Sequence, residues 1–311
     1  MRDIVITLIV FVGCLYTIRK PYIGILLWSW ISYMNPHRLS WGFAYSMPFA
    51  KITALILLFA MIFSKEVKMF PVNKITVVWI LFILWIGLTT IYAYFPDLAL
   101  LLFIRIIKIQ FICFLTMMLI TDKDRLDKLL WVIYISIGYF SIKGGYFTLL
   151  SGGKFRVWGP PDSFIENNNS LAVATLMIIP IMVYFYKIYK NNKWIKFLMA
   201  FSIIGSFFSV IGSQSRGAFL AIIAVLVFFW LKSKNKLVSG LAIAIFGIVA
   251  LSFMPETWFN RMNTIETYEE DSSAMGRINA WEYSINVAND RVLGIGLDSW
   301  SLETFAMYAP N

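Results

Sequence analysis

The sequence predicts an all-α, polytopic transmembrane helix bundle of about ten helices, followed by a polar segment at its C-terminal end. Three observations carry this prediction. Of the 311 residues, 59% are hydrophobic and 14% charged, against about 45–50% apolar and about 25% charged in soluble domains. Apolar runs recur from Ile4 to Met254, too many for a signal peptide plus one anchor. Twelve Trp, fifteen Tyr and twenty-seven Phe suit a chain that meets the membrane–water interface many times.

Membrane segments are expected near 4–18, 22–34, 50–63, 75–94, 98–120, 126–150, 170–190, 194–212, 217–231 and 237–254. A spanning helix needs about 20 apolar residues, and the first three runs fall short of that. Pro21, after Arg19 and Lys20, separates the first two runs, and Asn35-Pro36-His37-Arg38 ends the second. Residues 1–254 are thus read as the bundle and 255–311 as the polar segment.

Orientation follows from the connections. Lys65, Lys68 and Lys74 share one loop; Lys123, Arg125 and Lys128 share another. Lys187, Lys190, Lys193 and Lys196 form a third group, and Lys232, Lys234 and Lys236 a fourth. They alternate with connections at Pro96-Asp97, 151–169, 212–216 and 255–311. Basic loops face the cytoplasm, so the alternate set faces outward. The net charge of +10 is explained by this topology and implies no nucleic-acid partner. Cys14 and Cys113 both lie inside apolar runs, and His37 is the single histidine. That excludes a multi-histidine centre and argues against a disulfide or metal site.

The candidate chemistry therefore lies on the outward connections. Ser213-Gln214-Ser215-Arg216 is a polar break between two apolar runs. An arginine there offers a planar fork to phosphate or diphosphate; Ser213, Ser215 and the N–H groups of the next helix add donors. The competing role is snorkelling to the interface, which the scarcity of outward positive charge disfavours. Arg105 and Lys108 lie one turn apart inside the run 98–120, where no acid neutralises them, and Lys108 is the better cavity candidate. Lys143 lies inside 126–150, just before Gly144-Gly145.

In the loop 151–169, Lys154 and Arg156 are positive where topology predicts few positive residues, and Trp158 is placed either to stack on sugar or to anchor at the interface. Glu166 and the asparagines are candidates for hydroxyl contacts, with helix capping the expected job of Asn169. The segment 255–311 has Arg261, Arg277 and Arg291 against nine acidic residues, too polar for hydrocarbon. Asp271-Ser272-Ser273 is a capping signal, after which Ile278, Trp281, Ile285 and Ala288 fall on one helical face. Arg277 opens that helix and either faces the same anion as Arg216 or pairs with Asp271. Gly294-Ile295-Gly296 reads more readily as a tight turn than as a phosphate loop. His37, beside a turn, is expected to be structural.

These motifs resemble a known group. Ser-Gln-Ser-Arg-Gly-Ala opening an outward helix, with Gly276-Arg277-x-x-x-Trp281 and then Gly294-Ile295-Gly296, resembles the O-antigen ligase and polymerase superfamily. Met1-Arg2-Asp3-Ile4, Trp30 to Arg38 and Arg156-Val157-Trp158-Gly159-Pro160-Pro161 look like the putative O-glycosylation ligases that accompany exosortase systems. The resemblance implies a multi-pass protein of the bacterial inner membrane. It implies transfer of an oligosaccharide from a polyprenyl diphosphate carrier to a hydroxyl of an acceptor protein or lipid, on the periplasmic face. Membrane lipids surround it, and neither cofactor nor metal is expected.

Arg216 and Arg277 are the diphosphate candidates by motif, with Ser213, Ser215, Lys108, Lys154, Arg156, Trp158 and His37 as possible supports. The family's later histidine motif is not found before Asn311, so no catalytic residue is identified and a truncated chain is expected. A polymerase, or a non-catalytic lipid-linked glycan binding or transport protein, is the alternative.

Overall fold

The computed structural model describes residues 1–66, 70–263 and 272–309. Among them every regular element is helical. α1 (Arg2–Arg19), α2 (Pro21–Met34), α3 (Phe49–Phe63), α4 (Lys74–Ile91) and α5 (Pro96–Leu119) come first. α6 (Lys123–Ser151), α7 (Asn168–Ile188), α8 (Lys193–Gly212), α9 (Arg216–Lys232) and α10 (Lys236–Ser252) follow. The short α11 (Glu256–Asn263), then α12 (Ser272–Asp290) and α13 (Leu302–Tyr308), complete the order.

Each of the ten apolar runs is a helix, with ends within a few residues of the pattern. By length and composition four of the described helices, α4, α5, α7 and α8, are long and apolar enough to cross a membrane. Large apolar side chains point outward in the manner of a lipid-facing surface: Leu8 and Phe11 on α1, Val78 and Leu81 on α4, Leu241 and Ile248 on α10 are all exposed. Of the basic loops, Lys68 lies outside the described residues, as does the capping residue Asp271.

The chain divides into two compact units, residues 1–64 with 122–265 and residues 65–121 with 266–311. In the first unit α6, α7 and α8 pack as a core trio, α1 to α3 form a neighbouring group joined through α2 and α6, α9 extends the trio through α7 and α8, and α10 packs on α9. Small residues permit the closest crossing. A Cβ on Gly145 would lie 2.1 Å from the Gly205 carbonyl oxygen, and one on Gly212 would lie 1.9 Å from Thr148 Oγ1. On α8, Ser202, Gly205, Ser206 and Ser209 recur at helical spacing along this seam, the pattern by which membrane helices approach without bulky side chains. Hydroxyl pairs tie the trio further: Ser141 with Thr175 at 2.9 Å and Tyr134 with Ser202 at 2.7 Å.

The second unit joins α4 and α5 with α12 and α13. Trp79 Nε1 donates to Gln110 Oε1 at 2.8 Å between α4 and α5. The face of α12 that packs differs from the predicted one. Trp281 and Ile285 are exposed, whereas Tyr283 and Val287 are buried with Ile295. The reason is the aromatic cluster formed further along the chain: the Tyr283 ring lies 4.6 Å from Trp300 and 6.2 Å from Phe305, centroid to centroid.

Candidate functional site

The polar break between α8 and α9 is joined to three other parts of the first unit, the start of α7, the loop 152–167 and α11. Asn168 Nδ2, at the start of α7, donates to the Ser213 carbonyl at 2.8 Å. Gln214 Nε2 donates to the Gly153 carbonyl at 3.0 Å. The Val157 N–H donates to the Gly212 carbonyl at 3.0 Å, and Trp258 Nε1 on α11 donates to the Ile211 carbonyl at 3.1 Å. Orphan carbonyls at the C-terminal end of α8 are thus met by donors from the loop 152–167 and from α7 and α11, as buried backbone groups require.

Gln214 adopts φ +52°, a conformation costing an ordinary residue roughly 1–2 kcal/mol, and its side-chain bond to the Gly153 carbonyl helps to hold it there. Ser215 caps α9, its Oγ accepting from the Ala218 N–H at 3.2 Å, and the Ser213 hydroxyl donates to the Val210 carbonyl at 2.6 Å. The two serines thus shape the break itself. Arg216, half-buried, is the first residue of α9.

The loop 152–167 folds back onto α6 instead of standing clear of it. Val157 and Ile165 are buried, and Gly144 leaves the space that Val157 fills, since a Cβ there would lie 2.7 Å from Val157 Cγ1. Gly159 is needed equally, its Cβ position being 1.7 Å from the Ile165 carbonyl oxygen. Glu166 braces the loop: its carboxylate accepts from the Asp162 N–H at 3.1 Å and its carbonyl from the Gly159 N–H at 2.8 Å. The helix cap is Asn167, whose side chain accepts from the Asn169 N–H at 2.8 Å, and not Asn169 as expected. The helix begins two residues earlier than the apolar pattern, so Asn169 is already inside it.

The two sequence stretches that look most distinctive hold each other. Asp162, at φ +56°, receives Tyr45 Oη at 2.9 Å and pairs with Arg38 at 3.5 Å. Asn35 Nδ2 donates to the Asp162 carbonyl at 3.4 Å, and the Arg38 guanidinium lies 4.6 Å from the Tyr45 ring centroid. The Asn-Pro-His-Arg turn is therefore a clamp on the Val-Trp-Gly-Pro-Pro-Asp loop.

His37 is part of that clamp's support. Its ring meets Phe49 edge-on at 5.7 Å and its carbonyl accepts from the Ser40 hydroxyl at 2.7 Å. Burial, and then the neighbouring Arg38 charge, pull its imidazole below the ordinary histidine range. Its Nδ1 is buried with no hydrogen-bond partner among the described residues.

A cleft of about 320 Å³ opens between α6 and this loop, lined by Lys143, Arg156 and Trp158 together with Leu39, Phe140 and Phe147. It brings Lys143 of α6 to Arg156 and Trp158 of the loop. Lys154 is exposed beside it on the same loop.

In the second unit Lys108 and Arg105 are exposed on α5, and Arg277 is exposed on α12. Gly294 and Gly296 have φ +67° and +87°, and Gly296 is pressed against Ala93, whose Cβ lies 2.2 Å from where its own would stand. The Tyr94 N–H donates to the Ile295 carbonyl at 2.9 Å. Gly-Ile-Gly is thus a tight turn that docks on the α4–α5 connection. Tyr308 Oη donates to Asp290 at 2.6 Å, a bond that pushes its phenol above the usual tyrosine range. Among the described residues no group of three His, Cys, Asp or Glu side chains is placed to hold a metal ion.

Helices throughout, apolar surfaces turned outward and a hydrogen-bonded polar break at one end of the bundle define a multi-pass membrane protein. The chain belongs to a family of unknown function (DUF5935), whose model matches residues 1–190, and residues 198–311 match the O-Antigen ligase family. No curated protein and no solved structure matches the chain. The second match supports the O-antigen ligase superfamily, a class of membrane glycan ligases and polymerases. The contacts from Val157 to Gly212, Gln214 to Gly153 and Asn168 to Ser213 join those parts of the two matched segments that lie in the first unit.

Proposed function

We propose that this protein is a glycan ligase that transfers an oligosaccharide from a polyprenyl diphosphate carrier to an acceptor hydroxyl on the periplasmic face of a bacterial inner membrane. The observation that carries this reading is the Ser213–Arg216 break: it lies in the segment matched to O-antigen ligases and is held by hydrogen bonds from three other parts of the first unit. A held arginine at the start of α9 is suited to a leaving diphosphate, because charge that develops in the transition state is stabilised best by donors that need not reorganise. Helix N-terminal N–H groups act in the same sense.

Lys154 and the clamp around His37 are supports in the first unit, while in the second unit Arg277 is a diphosphate candidate by its own motif, with Lys108 as a possible support. The clamp between Asn35–Arg38 and Asp162 supports the likeness to exosortase-associated O-glycosylation ligases, since it gives both of their distinctive stretches one structural purpose. The bundle at 1–254 carries the membrane segments in this reading, and 255–311 the outward segment.

The test is reconstitution of the full chain with a polyprenyl-diphosphate-linked oligosaccharide. Arg216→Ala is expected to weaken donor binding about tenfold or more, the size of one lost charge-assisted hydrogen bond. Arg216→Lys is expected to recover only part of that, because it keeps the charge and loses the fork. Donor binding unchanged in Arg216→Ala removes this assignment.

A further inference from the structure

The cleft between α6 and the loop 152–167 gathers Arg156 and Trp158, offered by the sequence as supports for the diphosphate, with Lys143 of α6, and this composition fits a different ligand. Two cations, Lys143 and Arg156, line it from different elements. Among the described residues neither is paired with a carboxylate; the nearby Asp162 is engaged by Arg38 and Tyr45. Lys143 lies eight residues before the end of α6, about 12 Å down the helix, and its neighbours in the cleft are Phe140, Phe147 and Leu39. Lys143 is exposed at the cleft and Arg156 half-buried, so an entering anion meets two cations that no carboxylate of the described residues neutralises.

Trp158, 57% exposed, presents its indole at the same opening. Val157 is buried beside it and Gly144 makes room for that anchor, so the indole and Arg156 stand on a loop fixed from both flanks. An aromatic plate and apolar walls suit the C–H face of a pyranose ring, while the two cations require a negative charge on it. At about 320 Å³ the cleft lies at the small end of the range for ligand sites, about 300–1,000 Å³, which fits one or two sugar rings and not an extended lipid chain.

We propose that this cleft is a binding site for a sugar residue bearing a carboxylate or a phosphate, held by Lys143 and Arg156 and stacked on Trp158. Binding here requires neither a lipid carrier nor a transfer step. Its failure therefore leaves the Arg216 assignment standing, and failure of the ligase reading leaves this site standing.

The experiment is calorimetric titration of the purified full chain in detergent with four probes: trigalacturonate, glucose 1-phosphate, neutral maltotriose and farnesyl phosphate. One or both anionic sugars are expected to bind, with maltotriose at least about tenfold weaker. The preferred anionic sugar shows whether the charge recognised is a carboxylate or a phosphate. Lys143→Met and Arg156→Gln, which keep the stems that line the cleft, are each expected to weaken the anionic sugar about tenfold. Trp158→Ala is expected to do the same, with recovery in Trp158→Phe.

Equal affinity for maltotriose and the anionic sugars, or no binding of either anionic sugar, overturns the proposal. So does farnesyl phosphate that displaces the anionic sugars from this cleft and binds there more tightly than they do. The comparison of probes on the unmodified chain stands even where a variant fails to fold, and unchanged sugar binding in folded Lys143→Met and Arg156→Gln also overturns the proposal.

Discussion

Replacing Gly145 by alanine places a methyl group 2.1 Å from the Gly205 carbonyl oxygen and within 2.9 Å of its Cα. The obstacle is backbone, so no side chain can swing aside. Ordinary contact is reached only if α6 and α8 separate by roughly 1 Å at the seam where Ser206, Ser209 and Thr148 also pack. Overpacking of this kind costs about 1–3 kcal/mol, while alanine recovers up to about 1 kcal/mol of helix propensity. Because the obstacle is backbone, the upper end of the overpacking range applies, and the net expectation is a loss of about 2 kcal/mol by these two terms, or several degrees of melting temperature by the scaling of about 2–4 °C per kcal/mol.

The assay is thermal unfolding of the purified chain in one detergent, followed by far-ultraviolet circular dichroism. Gly247→Ala provides the opposite case, since nothing lies within 4 Å of a Cβ at that position of α10, and it is expected to hold or raise stability. A Gly145→Ala protein that melts at or above the parent temperature would refute the close-approach argument.

Three further outcomes are expected. At Asp162, asparagine should be nearly neutral, because the ion pair with Arg38 is partly exposed and such pairs contribute about 0–1 kcal/mol. Valine there should cost more, since it loses the Tyr45 bond and strains φ +56°; melting temperatures that rank valine with asparagine would contradict this. Gly296→Ala combines φ +87° with a 2.2 Å approach to the Ala93 Cβ and should destabilise by more than about 2 kcal/mol, strain and overlap together, with limited proteolysis of the 294–309 region as the readout.

His37 supplies a pH dependence. Its folded pKa lies below the ordinary histidine value of about 6.5, so the unfolded chain binds the proton more readily. Stability is then full above about pH 6.5, falls as pH drops through that value, and levels off below the folded pKa. His37→Gln should flatten that part of a melting-temperature profile between pH 8 and 5, and an unchanged slope would show that the imidazole is not its source.

The sequence by itself determined the membrane class, the positions of the helices and the residues that carry charge at their ends. These are local consequences of composition and apolar run length: Lys193 and Lys232 mark helix ends whatever lies beside them, and the helices from α1 to α10 follow the runs closely. The Gly-Ile-Gly turn was legible for the same reason, because positive φ is a backbone property that glycine announces. Which elements meet was decided only in three dimensions. Periodicity on α12 favours Trp281 and Ile285, yet the side that packs is the one facing Trp300 and Phe305, whose positions depend on a turn about ten residues further on.

Nothing in the linear order joins Arg38 to Asp162, Gln214 to Gly153 or Lys143 to Arg156. Gly144 lets Val157, between Arg156 and Trp158, lie against α6, and Gly145 and Gly212 let α6 and α8 approach closely; small residues signal that an approach is possible without naming the partner. Ser213 and Ser215 illustrate the same division. Their type promised donors near Arg216, and the fold uses their hydroxyls to end one helix and begin the next, leaving the arginine on a braced turn.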